Sequence, residues 1–404
     1  MLASRCRRFE SRRGTPYAMS TFLLGVNYWP RRSAMYMWQR FDLGEIRADL
    51  AHIKGLGFDV VRFFLRWDDF QPAPGRMDEA MLRRFDAVMQ AISDAGLRAM
   101  PTLFCGHMSG VNWLPAWSLD PQTPHGRFRT VTNDAISPYG IGDFYHDPAL
   151  LDAQELFARR VGERAREHPA LYAWDLGNEF SNLREPQTPG HAAGWSARLT
   201  HALRETSGRD VTGGTHGEDV ERDRHLRPST LAAPWSIATM HGYSVYATFS
   251  RGRLDTDVVP FYAQLMQSFT RKPLLFSEFG NPVCAASART AGAFACLDDD
   301  EMSAYAQTVL ERLHAIGTIG AMWWCWSDYP HALADVPPFD KAPHELHFGM
   351  IRADGSERPV ARLLAHFAAQ RLTVLEPPPP IADETAFYAS LPEGIDALYR
   401  DYRG

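Results

Sequence analysis

The chain has almost no lysine: Lys54, Lys272 and Lys341 stand against 39 arginines in 404 residues. That bias follows genome base composition, and no catalytic part is read into it. Positive charge is not in excess either. Basic residues number 42 and acidic residues 48, for a net charge of −6 and a pI near 6.2. No basic field is available to grip nucleic acid or an anionic membrane. No apolar run approaches the ~18 residues that span a bilayer. The richest, Ile319–Trp326, has the length of a strand.

Cysteine is sparse and odd in number. Cys6, Cys105, Cys284, Cys296 and Cys325 are widely spaced, with no C-x-x-C pair. A disulfide framework or a zinc knuckle is not expected, and the thiols read as buried or incidental. Residues 1–20 are Arg-rich and lack the apolar stretch of a secretory signal. They read as a disordered leader or a misassigned start, with Met19 as the beginning. With neither an export signal nor disulfides, a cytoplasmic protein is expected. No Gly-rich phosphate loop follows any predicted strand, which argues against a dinucleotide fold and leaves no cofactor to expect. His344-Glu345-Leu346-His347 lacks the i, i+4 histidine spacing of a zinc helix, so no metal site is expected there. Gly106–Gly110 is not a G-x-S-x-G elbow, which dismisses a serine hydrolase.

What the chain does have is apolar and aromatic residues in regular alternation with amphipathic stretches. Hydrophobic residues make 45% and charged residues 22%, as in a globular protein. Aromatics make 12%, including 11 Trp, whose faces suit flat apolar ligands such as sugar rings. Strands are predicted at 23–28, 60–65, 99–104, 171–176, 211–215, 237–241, 274–277 and 321–326. Helices fall between them at 43–56, 79–95, 148–167, 195–206, 258–269 and 301–316, with a last one at 360–370. The fifth unit has no clear helix. Eight strand–helix units over about 350 residues imply a parallel sheet closed as a (β/α)8 TIM barrel rather than an open doubly wound sheet. The segment 105–146 has little periodicity and much Gly, Pro and Trp, so it reads as a long functional loop. The barrel domain is placed at 21–375. A Pro-rich linker and tail, 376–404, is expected to pack on it.

Barrel enzymes carry their chemistry at the carboxyl ends of the strands. Those ends hold Arg62, His107, Asn178-Glu179, His216, His241, Tyr243, Glu278, Trp324, Trp326 and Asp328. Glu179 and Glu278, at the ends of strands four and seven, face each other across the mouth of a closed barrel. Two carboxyl groups flanking a cleft are what glycoside hydrolysis needs, one to protonate the leaving oxygen and one to attack the anomeric carbon or activate water. Asn178 is placed to hydrogen-bond a sugar 2-hydroxyl, and Arg62 to keep the nucleophile ionised. Trp113 and Trp117 in the long loop read as a substrate-facing wall. Glu218 and Asp219 read as solvated loop charges or else subsite contacts.

LGNEF (176–180), LLFSEFG (274–280), VVRFFLRW (60–67), HGY (241–243) and WCWSD (324–328) occur in this order at predicted strand ends. Together they resemble the clan A glycoside hydrolases, and most closely glycoside hydrolase family 5, the cellulase and mannanase family. GVNYWP (25–30) and the loop 104–117 are similar to its mannosidase and mannanase members. The resemblance covers about residues 22–370. It implies Glu179 as acid/base and Glu278 as nucleophile of a retaining mechanism, Arg62 supporting Glu278, and Asn178 on the 2-hydroxyl. It further implies His241 and Tyr243 tuning the two glutamates, His107 lining the pocket, and Trp324 as stacking platform. Trp326, two residues on, competes for that last role. A retaining enzyme has its two carboxyl groups about 5–5.5 Å apart.

The expected substrate is a β-linked oligosaccharide with a mannose-configured unit, trimmed from an end. A glucosidase, galactosidase or endoglucanase of the same clan stays open, as does a catalytically silent sugar-binding barrel. A metal-dependent barrel hydrolase would need His and Asp ligands at several strand ends.

Overall fold

The computed structural model describes residues 20–284 and 296–404. The expected leader therefore lies, except for Ser20, outside the described residues. At the centre are eight parallel strands: β1 (Leu23–Tyr28), β2 (Val60–Arg66), β3 (Arg98–Cys105), β4 (Ala173–Asn178), β5 (Asp210–Gly214), β6 (Ala238–His241), β7 (Leu274–Phe279) and β8 (Gly320–Trp323). They hydrogen-bond in the order β5-β4-β3-β2-β1-β8-β7-β6. The two end strands meet where the His241 N–H donates to the Thr215 carbonyl at 2.9 Å, beside a His216–His241 bridge. This closes the (β/α)8 barrel. All seven residues of β2 are buried, as befits a parallel strand covered on both faces.

Around the barrel run α1 (Leu43–Gly55), α2 (Glu79–Asp94), α3 (Pro148–Arg164), α4 (Pro189–Ser207), α5 (Val258–Thr270), α6 (Asp299–Ala315) and α7 (Pro359–Ala369). Asp42, Asp78 and Asp147 cap the first three by accepting backbone N–H groups, and Asp298 with Glu301 forms a capping box on α6. Between β5 and β6 the chain makes only the single turns Glu218–Glu221 and Pro228–Leu231. Every residue of α5 is buried. The cover comes partly from the tail, whose helices are α8 (Glu384–Ser390) and α9 (Glu393–Arg403). The Tyr399 ring of α9 lies 5.0 Å from that of Phe261, and the Tyr388 hydroxyl of α8 donates to the Asp219 carbonyl at 2.7 Å. No helix among the described residues is long and apolar enough to cross a membrane.

Two expectations need correction. The segment after β3 is not irregular. It folds into a four-stranded sheet (His107–Met108, Val111–Trp113, Arg129–Thr132, Ala135–Ser137) and a two-stranded ribbon (Leu119–Pro124, Tyr139–Ile141). Strands of two to six residues are too short for a period of two to register in sequence. Secondly, Cys284 and Cys296 form a disulfide, with Cα atoms 5.7 Å apart. The pairing depends on the chain doubling back, with the Leu297 N–H donating to Pro282 O and the Cys284 N–H to Leu297 O. Sequence spacing carries no sign of that return. The cytoplasmic expectation loses one of its two grounds, because disulfides persist in oxidising surroundings. Cys105 and Cys325 are free and buried.

Strands β4 and β5 approach so closely at the site end that a side chain is excluded. A Cβ on Gly214 would stand 2.1 Å from the Gly177 carbonyl oxygen. Gly214→Ala is therefore expected to cost about 1–3 kcal/mol, measured as a lower urea midpoint. An unchanged midpoint would contradict this close approach.

Candidate active site

The carboxyl ends of the strands open into a cavity of about 330 Å³. Glu179, Glu278, Asn178, His107, His241, Tyr243 and Trp324 all line it. The sequence thus brings seven of its expected site residues to one place.

Arg62 organises the floor. It is fully buried on β2 and uses its guanidinium fork on four acceptors from three other strands. Nε donates to Asp175 Oδ2 at 2.8 Å, and Nη2 to Asn178 Oδ1 at 2.8 Å. Nη1 donates to Asn27 Oδ1 at 2.8 Å and to Glu278 Oε2 at 2.9 Å. Each bond is held from behind. Thr102 donates to Asp175 Oδ2 at 2.8 Å, and Asn27 Nδ2 donates to the carbonyls of Ser277 and Trp323. Asn178 Nδ2 donates to the His107 carbonyl at 3.0 Å. Burial penalises the Arg62 charge, but Asp175 and Glu278 outweigh it and hold the guanidinium protonated.

Glu278 also receives the Tyr243 hydroxyl on Oε1 at 2.5 Å. One oxygen is thus bound to a cation and the other to a phenol. Burial and the Glu278 charge push the Tyr243 phenol well up, so it stays a donor.

Glu179 sits among imidazoles instead. His241 Nδ1 lies 3.3 Å from Glu179 Oε1 and 3.6 Å from Glu278 Oε2. Among the described residues His241 Nε2 has no hydrogen-bond partner, so the two carboxylates select the Nδ1–H tautomer. His107 Nε2 and His216 Nδ1 stand 3.8 and 3.9 Å from Glu179 Oε2. Asn182 Nδ2 donates to the same oxygen at 3.2 Å. Burial disfavours the ionised form of Glu179, but His216, His241 and His107 outweigh it, and the net direction is downward. Burial pushes His107 itself down to about 4, so at neutral pH it is uncharged. Glu179 adopts the left-handed region, φ 47° and ψ 46°, where the chain turns from β4 into the short helix Phe180–Asn182. That strain, about 1–3 kcal/mol, is held by the Glu179 N–H donating to Gly214 O at 3.0 Å.

One oxygen from Glu179 and one from Glu278 lie, with a His241 nitrogen, within 4.8 Å of one another. This trio is the one grouping among the described residues able to hold a metal ion, and it coincides with the carboxylate pair itself.

Several expectations do not survive the geometry. Trp326 does not reach the cavity; it is buried edge-on to His52 of α1, ring centroids 5.2 Å apart. Strand β8 ends at Trp323, so strand alternation does not carry through to Trp326. Trp324 lines the cavity, with its ring edge-on to Phe64. Trp113 is fully buried under the Arg66 guanidinium, 4.4 Å away, and Trp117 donates its indole N–H to Gln71 O at 2.8 Å. Both pin the long loop to the barrel instead of facing substrate. Asp328 is bound by Arg358 at 2.5 Å and by the Gly349 N–H, away from the cavity. Asp219 is buried, accepting from Ser181 Oγ at 2.6 Å beneath His216. Glu218 does line the cavity, paired with Arg127.

Sequence reasoning missed Asp175, Asn27 and Glu345. Asp175 had a signal, a lone carboxylate inside the apolar strand AWDLGN. Asn27 lay within the GVNYWP motif without a role. Glu345 lay in the segment set aside as not metal-binding.

A closed parallel barrel with two facing glutamates at its carboxyl mouth, one held by Arg and Tyr and one by histidines, is a glycosidase arrangement. The chain belongs to the Cellulase family, glycosyl hydrolase family 5, whose family model matches residues 23–330. Among solved structures it is similar to the exo-β-1,4-mannosidase Op5Man5 from Opitutaceae bacterium strain TAV5, with 27% identity and a TM-score of 0.73. That match covers 88% of this chain and 61% of the other, so the chain spans about three fifths of the mannosidase's length. A GH5_18 protein from Streptomyces cattleya, in complex with GlcNAc, is 21% identical with a TM-score of 0.76, covering 95% and 90% of the two chains. A GH5_18 variant from Bifidobacterium longum, in complex with Manβ1-4GlcNAc, is 20% identical with a TM-score of 0.73, covering 88% and 80%. No curated protein matches the chain.

Arg62→Leu leaves Asp175 and Glu278 buried without their cation and is expected to cost about 3–5 kcal/mol of stability, read by urea denaturation. Arg62→Lys keeps the charge without the fork. It is expected to keep a cooperative transition while kcat/KM falls about 10²-fold. A Lys variant with wild-type kcat/KM would show that the fork is dispensable.

Proposed function

We propose that the chain is a retaining β-glycosidase that removes mannose-configured units from the ends of β-linked oligosaccharides. The carrying observation is the carboxylate pair, with one oxygen from each glutamate within 4.8 Å of the other. That spacing suits direct attack, because an inverting pair must leave room for a water.

Glu278 attacks the anomeric carbon while Glu179 protonates the departing oxygen. Arg62 and Tyr243 hold Glu278 in place, one on each carboxylate oxygen. A glycosyl ester forms on Glu278, whose negative charge is thereby lost. Glu179, now ionised, takes a proton from water, and the water carbon–oxygen bond replaces the ester. Ionised Glu278 favours the protonated form of Glu179 before attack, and the loss of that charge in the ester favours the ionised form afterwards. Asn178, fixed by Arg62 and the His107 carbonyl, bonds the 2-hydroxyl, and Trp324 stacks on the sugar face.

Support for an end-trimming mode comes from the small cavity and from the long third loop that walls it. Phe128 and Arg129 of that loop line the cavity, and Arg129 forms a two-pronged pair with Asp340 of the last loop. Support for mannose comes from the similarity to an exo-β-1,4-mannosidase.

Initial rates on matched aryl β-mannoside, β-glucoside and β-galactoside, with Manβ1-4GlcNAc beside them, test the reading. The mannosides are expected to lead, with the β-anomer formed first by proton NMR. Glu278→Ala is expected to fall below about a tenth of wild-type turnover, and a higher residue would remove Glu278 as nucleophile. Preference for another glycoside would keep the mechanism and discard mannose. An α-anomer as first product would discard retention.

A further inference from the structure

A third carboxyl group shares the cavity. Glu345 lies in the short helix Pro343–His347 of the loop after β8 and lines the same walls as Glu179 and Glu278. It is buried, and its position is held from two other loops. Ser109 of the third loop donates to Oε2 at 2.9 Å. Tyr246 of the sixth hydrogen-bonds to it. His344 Nε2 is 3.6 Å from Oε1, beyond hydrogen-bond length, and stands 3.2 Å from the Tyr246 hydroxyl. A carboxyl group so anchored is a built feature of the pocket wall, and neither glutamate of the reacting pair needs it.

We propose that Glu345 is a specificity-determining residue, its carboxyl group hydrogen-bonding a hydroxyl of the sugar unit held in the cavity. The rationale is chemical. No Arg or Lys pairs with Glu345 among the described residues. Two other carboxylates already face the same space. Burial first, and then the charges of Glu278 and Glu179, push its carboxyl up to about 8, although Ser109 and Tyr246 pull the other way. The remaining titratable groups that sense it are the phenols of Tyr243 and Tyr329 and the Cys325 thiol. All three are pushed well up by burial and so are neutral. His344 is pushed down to about 4 by burial and is neutral too. At neutral pH Glu345 is therefore a carboxylic acid, with an O–H donor and a carbonyl acceptor. A sugar hydroxyl offers the complementary acceptor and donor. A sugar lacking that hydroxyl leaves a buried polar group unpaired, which is how such a site rejects it.

The sign of the pH effect follows. The acid is neutral below about pH 8 and ionised above it. Ionisation removes the donor and adds a third negative charge, so kcat/KM falls as pH rises through that region.

The proposal rests on Glu179 and Glu278 as the reacting pair, not on the identity of the sugar. The test compares wild type, Glu345→Gln and Glu345→Ala on an aryl glycoside and its monodeoxy analogues. The parent is whichever glycoside the wild type turns over. Failure of the mannoside reading is thus seen in the wild type, and failure of this one in the variants. In the wild type one deoxy analogue is expected to lose about tenfold or more in kcat/KM. Glu345→Ala is expected to erase that discrimination at the same position and leave the others intact. The amide of Glu345→Gln, which also donates and accepts, is expected to restore part of it and to lack the wild-type descent near pH 8. Equal losses on every analogue would overturn the proposal. So would a Gln variant as damaged as Ala, or one that keeps the alkaline descent.

Discussion

The site depends on one buried cation satisfied by four acceptors. Arg62 contributes no contact to the cavity wall, yet it touches Asn27 on β1, Asp175 and Asn178 on β4, and Glu278 on β7. A guanidinium is the side chain suited to this, since its planar fork directs several N–H groups while its charge survives burial. Breaking any one bond would leave a polar group in a low-dielectric interior, where an unpaired group is costly. The floor is therefore rigid because its parts are mutually satisfied, and the two glutamates inherit that rigidity. Glu278 is tied directly, and Glu179 through its neighbour Asn178.

The two glutamates share an entrance but not an environment. One oxygen of Glu278 takes a charged donor and the other a phenol, which suits the nucleophile proposed above. Glu179 faces imidazoles at 3.3 to 3.9 Å, an environment unlike that of Glu278 and compatible with the proposed acid/base. The barrel achieves the difference by drawing each set of partners from different strand ends. A cation comes from β2 for one, while histidines after β3 and β5 and at the end of β6 serve the other.

The barrel and its central residues were legible because both follow from local regularities. Apolar strand runs at even spacing announce a parallel sheet, and a charge ending such a run announces the mouth. Glu179 and Glu278 were readable as mouth residues on that ground, whereas Arg62, inside its strand, and Asn178 were inferred from what a carboxylate pair needs beside it. What was not legible depended on return of the chain. The disulfide joins two cysteines because the backbone at Pro282 and Cys284 pairs with that at Leu297. The small sheet of the third loop pairs strands too short to carry a pattern. Trp113 and Trp326 were assigned by residue type, and type does not say which way a ring faces once a strand has ended. Glu345 escaped because its segment was weighed against one motif, the zinc helix, and failing that motif says nothing about what a loop delivers to a pocket wall.

The bond between Arg129 and Asp340 ties the hairpin of the third loop to the last loop, across 211 residues of chain. Neither loop belongs to the barrel's repeating plan, so each is free in principle to vary in length without disturbing the strands. Tied together, they are not free of one another. An insertion that redraws one bank of the cavity strands a charge on the other. A change in the length of one loop is therefore felt by the other, and the two banks of the cavity mouth vary as a unit.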